Sequence, residues 1–227
     1  MEKNYLENNS LTLIGKITDD KIFSHEIYSE KFYTVNVSVP RLSGNADLIP
    51  VTISERLFKD SDLIVGRNVK VEGQFRSYNS YEKEKNRLIL TVFAKSIEFI
   101  EDEIDNIEST QGIATNEVEL IGYICKPPIY RQTPFGREIA DVLLAVNRAY
   151  NKSDYIPCIT WGRNARFCSE MTVGTEVKII GRVQSRNYEK KYEDGTVEQR
   201  VAYEVSVANL ELINNEENQA EEKEIEE

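Results

Sequence analysis

The sequence has few of the residues that usually build catalytic or metal centres. It contains one histidine, His25, and three cysteines without a Cys-x-x-Cys pair, and it lacks the phosphate-binding motif G-x-x-x-x-G-K-[ST] and the nucleophile motif G-x-S-x-G. No apolar run approaches the length of a membrane span, and the polar start Met1-Glu2-Lys3-Asn4 is unlike a signal peptide. We therefore expect a cytoplasmic protein with reduced thiols that is not an enzyme, binds no metal, needs no cofactor and has no membrane partner.

The sequence also has no excess of basic residues. It has an excess of acidic residues instead, and this excess is confined to two segments. The net charge is −11, yet residues 10–100 carry 13 basic and 12 acidic side chains, and residues 116–213 carry 13 of each. Residues 101–115 hold five acidic and no basic residues, and residues 214–227 hold seven glutamates and one lysine. The acidic segments predict a linker and a disordered tail, and the two near-neutral units remain compatible with a nucleic-acid ligand.

The chain contains an internal repeat. Matching residues are separated by 107 positions early in each unit, by 108 further on and by 113 near its end. The shift grows only between strand-like runs, where loops absorb insertions. Such matches in one order indicate a duplicated fold. The matching pairs include Leu13-Ile14-Gly15 with Leu120-Ile121-Gly122, Val39-x-Arg41 with Val146-x-Arg148, Asp47-x-Ile49-Pro50 with Asp154-x-Ile156-Pro157, Gly73 with Gly181, and Val92 with Val205.

Each repeat has the strand order of an OB-fold, an all-β barrel of five strands. The second unit alternates like strands at 118–124, 139–146, 155–161, 177–183 and 201–207, with a short helix predicted at 163–171 between strands three and four. The first unit predicts strands near 11–18, 32–40, 47–53, 68–78 and 87–99, and a helix near 55–64 whose buried face is Leu57 and Phe58. Gly122 and Gly181 fall inside strands, where a barrel must coil sharply.

These patterns predict five segments. They are a flexible N-terminus at 1–9, a divergent first OB-fold at 10–100, an acidic linker at 101–116, a second OB-fold at 117–213 and a disordered acidic tail at 214–227.

Three segments of the second unit resemble the bacterial single-stranded DNA-binding protein family. They are Leu144-Ala145-Val146-Asn147-Arg148, the run from Tyr155 to Gly162 and the run from Gly181 to Tyr188. The stretch Pro128-x-x-Arg131-x-Thr133-Pro134-x-Gly136 is similar to that family's first turn. The resemblance covers residues 117–213. The first unit is similar to a divergent copy of the second, with fewer of the family's residues. A chain with two barrels resembles the family branch that pairs as homodimers, which implies four barrels in the assembly.

The resemblance implies which side chains contact nucleic acid. Its main base-stacking positions fall on Tyr150, Tyr155, Trp161 and Tyr188. The alternative is that Tyr155 and Trp161, six residues apart on one strand, only share a core face. Basic residues interleave with these aromatics and form an expected phosphate track. The track comprises Arg131, Arg148, Lys152, Arg163, Arg182, Arg186, Lys190 and Lys191, with Lys126 as a weaker candidate.

The first unit departs from this pattern, since Ser43, Leu48, Ser54 and Ser80 occupy the four stacking positions. Two hypotheses follow. Either Tyr78 and Tyr81, with Lys83 and Lys85 on the analogous hairpin, rebuild a weaker binding surface, or the first barrel mainly completes the assembly.

The resulting expectation is a sequence-tolerant single-stranded DNA-binding protein that coats exposed strands in replication, repair and recombination. The alternatives are a primosome-like protein-interaction module and an RNA-coating protein. Replication and repair proteins are the family's class of partner, but the chain ends Glu224-Ile225-Glu226-Glu227, and Ile225 as the only apolar residue argues against recruitment through this tail. Site size, cooperativity and the biological origin of the chain stay open.

Overall fold

The computed structural model describes residues 8–41, 43–82, 85–101, 115–192 and 194–213, with no side-chain description at 81, 82, 85 and 86. Most of the predicted N-terminal segment, linker and tail, together with Lys83, therefore lies outside the described residues. Within those ranges, no helix has both the length and the apolar character needed to cross a membrane.

The first repeat forms six strands. They are β1 (Asn9–Ile17), β2 (Ile22–Ile27), β3 (Glu30–Pro40), β4 (Ala46–Ser54), β5 (Asn68–Glu82) and β6 (Lys85–Ile100). The second repeat forms the same series. Its strands are β7 (Asn116–Ile124), β8 (Ile129–Gln132), β9 (Glu138–Arg148), β10 (Lys152–Trp161), β11 (Glu176–Lys191) and β12 (Val197–Leu212), and helix α1 (Arg163–Ser169) lies between β10 and β11.

Five strands of each repeat close into a ring. In the first, β1 pairs with β3 and β5, β3 pairs with β4, β4 pairs in parallel with β6, and β6 pairs with β5. The pairings of β7, β9, β10, β12 and β11 repeat this circuit. The predicted pair of five-stranded OB barrels is confirmed, and the short strands β2 and β8 are additions on the outer side of β3 and β9.

Alternation along the strands determines which side chains fill the barrels. In β3, Val35, Val37 and Val39 are fully buried, and their neighbours are partly exposed. The period of two directs alternate residues to opposite faces, so the apolar set lies inside the ring. The inward residues of β7 and β11 repeat the arrangement in the second barrel, where Leu120 and Ile179 are fully buried.

The retained glycines lie where backbones approach too closely for a side chain. A Cβ on Gly73 would collide with the carbonyl oxygen of Phe93, and one on Gly181 would collide with that of Ser206. Both glycines stand at register shifts of the long hairpins β5–β6 and β11–β12. The sequence prediction that strand glycines mark sharp coiling stays a prediction, and the close contacts give the reason why these two positions hold glycine.

The first barrel differs from the prediction at its helix. Only a 3₁₀ turn, Glu55–Leu57, forms where a helix near 55–64 is expected, and none of its residues is buried. Phe58 already has extended backbone angles, although Leu57 and Phe58 do pack against the core. In contrast, α1 buries Ala165 and Cys168 three residues apart, which gives it the apolar face that stabilises a short helix.

The two barrels are joined edge to edge by their first strands. β1 and β7 pair antiparallel, with Leu11 opposite Val118, Asn9 opposite Leu120 and Leu13 opposite Asn116. Leu11 and Val118 are themselves equivalent under the shift of 107, so a pseudo-two-fold axis passes through this pair. The barrels therefore meet as two subunits of a symmetric dimer would, although they belong to one chain.

Candidate nucleic-acid interface

Two buried aspartates fasten the barrels together around the pseudo-two-fold axis. Asp47 accepts a hydrogen bond from the backbone N–H of Ser185 at 2.7 Å, and Asp154 accepts one from the backbone N–H of Ser77 at 2.8 Å. Both carboxylates are fully buried, and both seryl partners lie in the opposite barrel. The repeated Asp-x-Ile-Pro motif is therefore an inter-barrel clasp.

Arginines complete the clasp on both sides. Arg41 hydrogen-bonds Asp47, whereas Arg148 Nε lies 3.5 Å from Asp154 Oδ2. Arg182 from the second barrel also approaches Asp47, with 3.6 Å between Nη1 and Oδ2. Burial raises the pKa of Asp154, and the Asp47 hydrogen bond raises the pKa of Arg41. Arg148 and Arg182, predicted on the phosphate track, thus stand at the inter-barrel contact with their guanidinium groups about one-third exposed.

The predicted stacking residues of β10 lie on the outer face of the second barrel. Tyr155 is 46% exposed and Trp161 is 38% exposed. The intervening core residues Ile156 and Cys158 point inward and are buried, so the two rings do not share a core face. The indole N–H of Trp161 donates to Ser206 Oγ at 3.3 Å, which fixes the ring against β12.

Tyr150 lies at the tip between β9 and β10 and is 94% exposed. It has φ 61°, and the next residue Asn151 has φ 53°. Asparagine tolerates this left-handed conformation, whereas a bulky tyrosine pays a strain cost for it. The turn therefore holds the Tyr150 ring out in solvent, away from the core.

A groove of about 680 Å³ runs between the long hairpins of the two barrels. Pro50 and Pro157, equivalent residues of the two repeats, both line it, and so do Tyr78 and Tyr188. Tyr78 is 51% exposed, whereas Tyr188 is partly buried with the Arg186 guanidinium 5.9 Å from its ring centre. The wall also includes Arg87 and Arg200, so the groove offers aromatic rings and positive charge together.

The remaining basic candidates fall into two groups. Arg131 makes a bidentate pair with Asp141 at 2.9 and 3.2 Å, and Arg186 lies 3.9 Å from Glu204. The others are exposed around the second barrel; these are Lys126, Lys152, Arg163, Lys190 and Lys191. Tyr81 and Lys85 belong to β5 and β6, but their side chains lie outside the described ones.

Lys190 and Lys191 lie in the β11–β12 hairpin, whose tip contains the predicted Asp194-Gly195 turn. Gly195 has φ 82°, and the N–H of Tyr192 donates to Thr196 O at 2.9 Å across this turn. Nearby, Arg200 and Tyr192 both hydrogen-bond Glu198 and lower the pKa of that carboxyl to about 2. The hairpin therefore keeps internal ion pairs as well as outward lysines.

Phe135 is not among the predicted binding residues, yet it is 93% exposed in the turn between β8 and β9. The shift of 107 pairs it with Tyr28, which is 98% exposed at the tip between β2 and β3. The repeat itself contained this signal, because an aromatic residue is retained at an equivalent hairpin tip in both barrels.

Comparison with known proteins places the chain in a family. The family model described as "Single-strand binding protein family" matches residues 115–213. Single-stranded DNA-binding protein B of Bacillus subtilis is 35% identical over 86 residues, which cover 34% of this chain and 74% of that protein. The chain belongs to the single-strand binding protein family. The resemblance inferred from the second repeat is confirmed.

For other relatives, the part that matches this chain is only about half of the relative's own length. Single-stranded DNA-binding protein A of Bacillus subtilis is 37% identical over 83 residues, which cover 34% of this chain and 48% of that protein. The chain thus spans about half the length of several relatives that it matches. The wild-type single-stranded DNA-binding protein from Thermus aquaticus has the same fold over both barrels, with a TM-score of 0.69, 21% identity and coverage of 91% of this chain and 93% of that one.

Proposed function

We propose that this protein binds single-stranded DNA without sequence preference and coats strands exposed in replication, repair and recombination. The observation that carries the proposal is the outer face of β10, where Tyr155 and Trp161 are exposed on the same side as Pro157, which lines the inter-barrel groove. A strand could thus pass from exposed rings into a groove that contains tyrosines and arginines.

The chemistry of this surface suits an unpaired strand. Every base has a flat face, so stacking on tyrosine or tryptophan contributes about 1–3 kcal/mol per base whatever the sequence. Arg186 and Arg87 border the rings and can neutralise phosphates. Affinity that depends on such contacts falls as salt rises, because counterions are released on binding. The mechanism uses contact alone and needs neither a cofactor nor a reacting group.

The second barrel supplies the principal binding surface in this proposal. At the four stacking positions the first barrel has small or aliphatic residues, with Ser43 exposed, Leu48 48% exposed and Ser54 buried at 8%. Ser54 instead caps the 3₁₀ turn by accepting the N–H of Arg56 at 3.2 Å. The lysines and tyrosines of the β5–β6 hairpin, Tyr78 among them, provide a secondary surface.

Pairing of two chains into a four-barrel homodimer is part of the proposal. The β1 edge is already used by β7, so it does not recruit a second chain. β2 stands at one end of the strand order and exposes Ile22, Phe23 and Ile27. An apolar edge strand of this kind favours a partner that covers it. Sedimentation equilibrium tests the point, since a monomer has a mass of 26.1 kDa and a dimer twice that value.

A cytoplasmic setting also belongs to the proposal, because all three cysteines are free thiols and burial raises the pKa of Cys158 and Cys168. Such thiols are unreactive and are compatible with a reducing compartment.

Intrinsic fluorescence of Trp161, the only tryptophan, tests the proposed function directly. Oligo-dT should quench it at low salt, and added salt should restore it, because the base stacks on the indole and the phosphates hold the strand. Absence of both quenching and a gel shift at low salt would refute the proposal and favour a protein-interaction module. Competition between oligo-dT and oligo-U shows whether the ligand is DNA or RNA, since stacking does not distinguish the sugars.

A further inference from the structure

The first barrel lacks the tryptophan of the second, but it places other aromatic rings at the same location on its surface. Ser54 replaces Trp161 at the end of the equivalent strand. In the second barrel, Trp161 lies opposite Ile139 on β9 and against Ser206 on β12. The first-barrel residues equivalent to these two neighbours are Phe32 and Phe93.

The strand register confirms that these residues surround Ser54. Phe32 pairs with Ser54 across β3 and β4, and Phe93 pairs with Thr52, two residues before Ser54 on the same face. The two phenylalanine rings are 5.6 Å apart with a tilt of 35°. In the first barrel the aromatic residues thus lie on β3 and β6, which flank β4, whereas in the second barrel the aromatic residue lies on the equivalent middle strand, β10.

The two rings belong to a ladder of four flat groups. The His25 ring stacks on Phe32 at 4.8 Å with an angle of 7° between the planes, and the Arg76 guanidinium lies 4.2 Å from the centre of the Phe93 ring. His25, Phe93 and Arg76 are each partly exposed, whereas Phe32 in the middle is 8% exposed. The ends of the ladder, unlike its middle, are accessible to a base.

The ladder is continuous with the groove. Thr52 and Thr91 lie two residues from Ser54 and Phe93 on the same strand faces, and both threonines line the groove. Across the groove, Pro157 lies on the same face of β10 as Trp161. The ladder and the Trp161 ring therefore each lie on a strand face that continues into the groove.

We propose that the ladder formed by His25, Phe32, Phe93 and Arg76 is a second base-stacking subsite, so that one strand is held by both barrels through differently placed rings. This inference rests on the proposed function, because it assigns a further subsite to the same single-stranded ligand. It differs from the hairpin surface of Tyr78, which lies within the groove. Arg76 would contribute both a planar stacking surface and a positive charge near the phosphates.

A relocated tryptophan reporter tests the proposal. Trp161→Phe removes the native tryptophan, and Phe93→Trp then places the only tryptophan in the ladder. Binding of dye-labelled oligo-dT is followed separately by anisotropy. We expect long oligo-dT to quench the fluorescence of the tryptophan at 93, and salt to reverse the quenching.

The matched control uses the same background with Phe99→Trp. Phe99 is on the same strand and also lies beneath an arginine, with Arg67 4.5 Å from its ring centre, but it packs against the core and stands six residues beyond Phe93. Its fluorescence should not change on binding. Complex formation with no quenching at 93 would overturn the ladder while leaving the proposed function intact. Absence of any complex with the wild-type protein would overturn both.

An affinity measurement gives a second readout. Phe93→Ser introduces the residue that the second barrel has at this position, and it should weaken binding of long oligo-dT by about five- to tenfold, because it removes the ring that supports the Arg76 guanidinium at the accessible end of the ladder. Phe99→Ser should leave the affinity within about twofold, whatever its effect on thermal stability. If the folded Phe93→Ser protein binds like the wild type, the ladder has no role in binding.

Discussion

The two barrels share one interior and differ on the outside. Both close the same five-strand ring, keep glycine at the same close contacts and contribute one aspartate to the clasp. Their outer faces differ, since Trp161 and Tyr155 of the second barrel correspond to Ser54 and Leu48 of the first. The comparison indicates that folding and inter-barrel contact constrained both copies, whereas the outer face of β10, where binding is proposed, has aromatic residues that the equivalent strand β4 of the first barrel lacks.

The clasp also explains why the barrels stay as a pair. Each buried carboxylate accepts a hydrogen bond from a backbone N–H of the other barrel, so separating the barrels would leave these polar groups without that partner. The strand pairing of β1 with β7 adds backbone hydrogen bonds at the same contact. The first barrel, which lacks the proposed stacking aromatics, is therefore still needed, because its β1 is the pairing partner of β7.

The largest effect is expected from filling a close backbone contact in either barrel. Gly73→Val and Gly181→Val should each destabilise the protein by about 3 kcal/mol, because the new Cβ would overlap a carbonyl oxygen of the neighbouring strand. Urea unfolding measures both. Gly195→Asn, at an open turn with φ 82°, is the control and should cost under about 1 kcal/mol. Unequal losses for the two valine variants would contradict the shared scaffold.

Removing either clasp aspartate should come next. Asp47→Ala and Asp154→Ala each remove the acceptor of a seryl N–H and the carboxylate partner of an arginine, which should cost about 2 kcal/mol, since the arginines remain partly solvated. The free energy of unfolding provides the comparison. Asp141→Ala, which breaks the exposed pair with Arg131, should cost under about 0.5 kcal/mol. If only one of the two aspartate variants loses stability, the two halves of the clasp are not equivalent, which would contradict the pseudo-two-fold symmetry.

The proposed binding surface predicts unequal losses of affinity for substitutions at Trp161 and at Tyr78. Trp161→Ala should weaken binding of oligo-dT about tenfold, whereas Tyr78→Ala should weaken it by no more than about twofold. Phe167→Ala on α1 removes an exposed ring away from the groove and serves as the control. Titrations that give equal losses for Trp161 and Tyr78 would show that both barrels bind alike.

The smallest effect should be a pH dependence at the clasp. Burial raises the pKa of Asp154, so the folded state prefers the neutral carboxyl, and this contribution to stability is complete below the unfolded pKa and lost as pH rises through the folded pKa. Asp154→Asn does not titrate. The stability of the asparagine variant relative to the wild type should therefore increase as pH rises from the acid side. Thermal melts of both proteins across that pH range measure this stability difference. A wild type that becomes more stable relative to the variant as pH rises would contradict the prediction.

Sequence patterns predicted the ring strands because alternation records which side chains face inward. They failed for β2, whose six residues are almost all exposed and show no alternation. They overestimated the helix after Ser54, where no residue of the 3₁₀ turn is buried. The clasp was also missed, since Asp47 and Ser185 are 138 residues apart and only the paired barrels bring them together.

The sequence by itself determined the duplication, the two barrels and the family, because repeated glycines and alternating apolar residues constrain each strand locally. Only the tertiary structure decided that the Asp-x-Ile-Pro motif joins the barrels and that Phe32 and Phe93 surround Ser54. Those relations depend on strand register and on the pairing of β1 with β7, which place residues distant in sequence side by side. No pattern within a single strand contains that information.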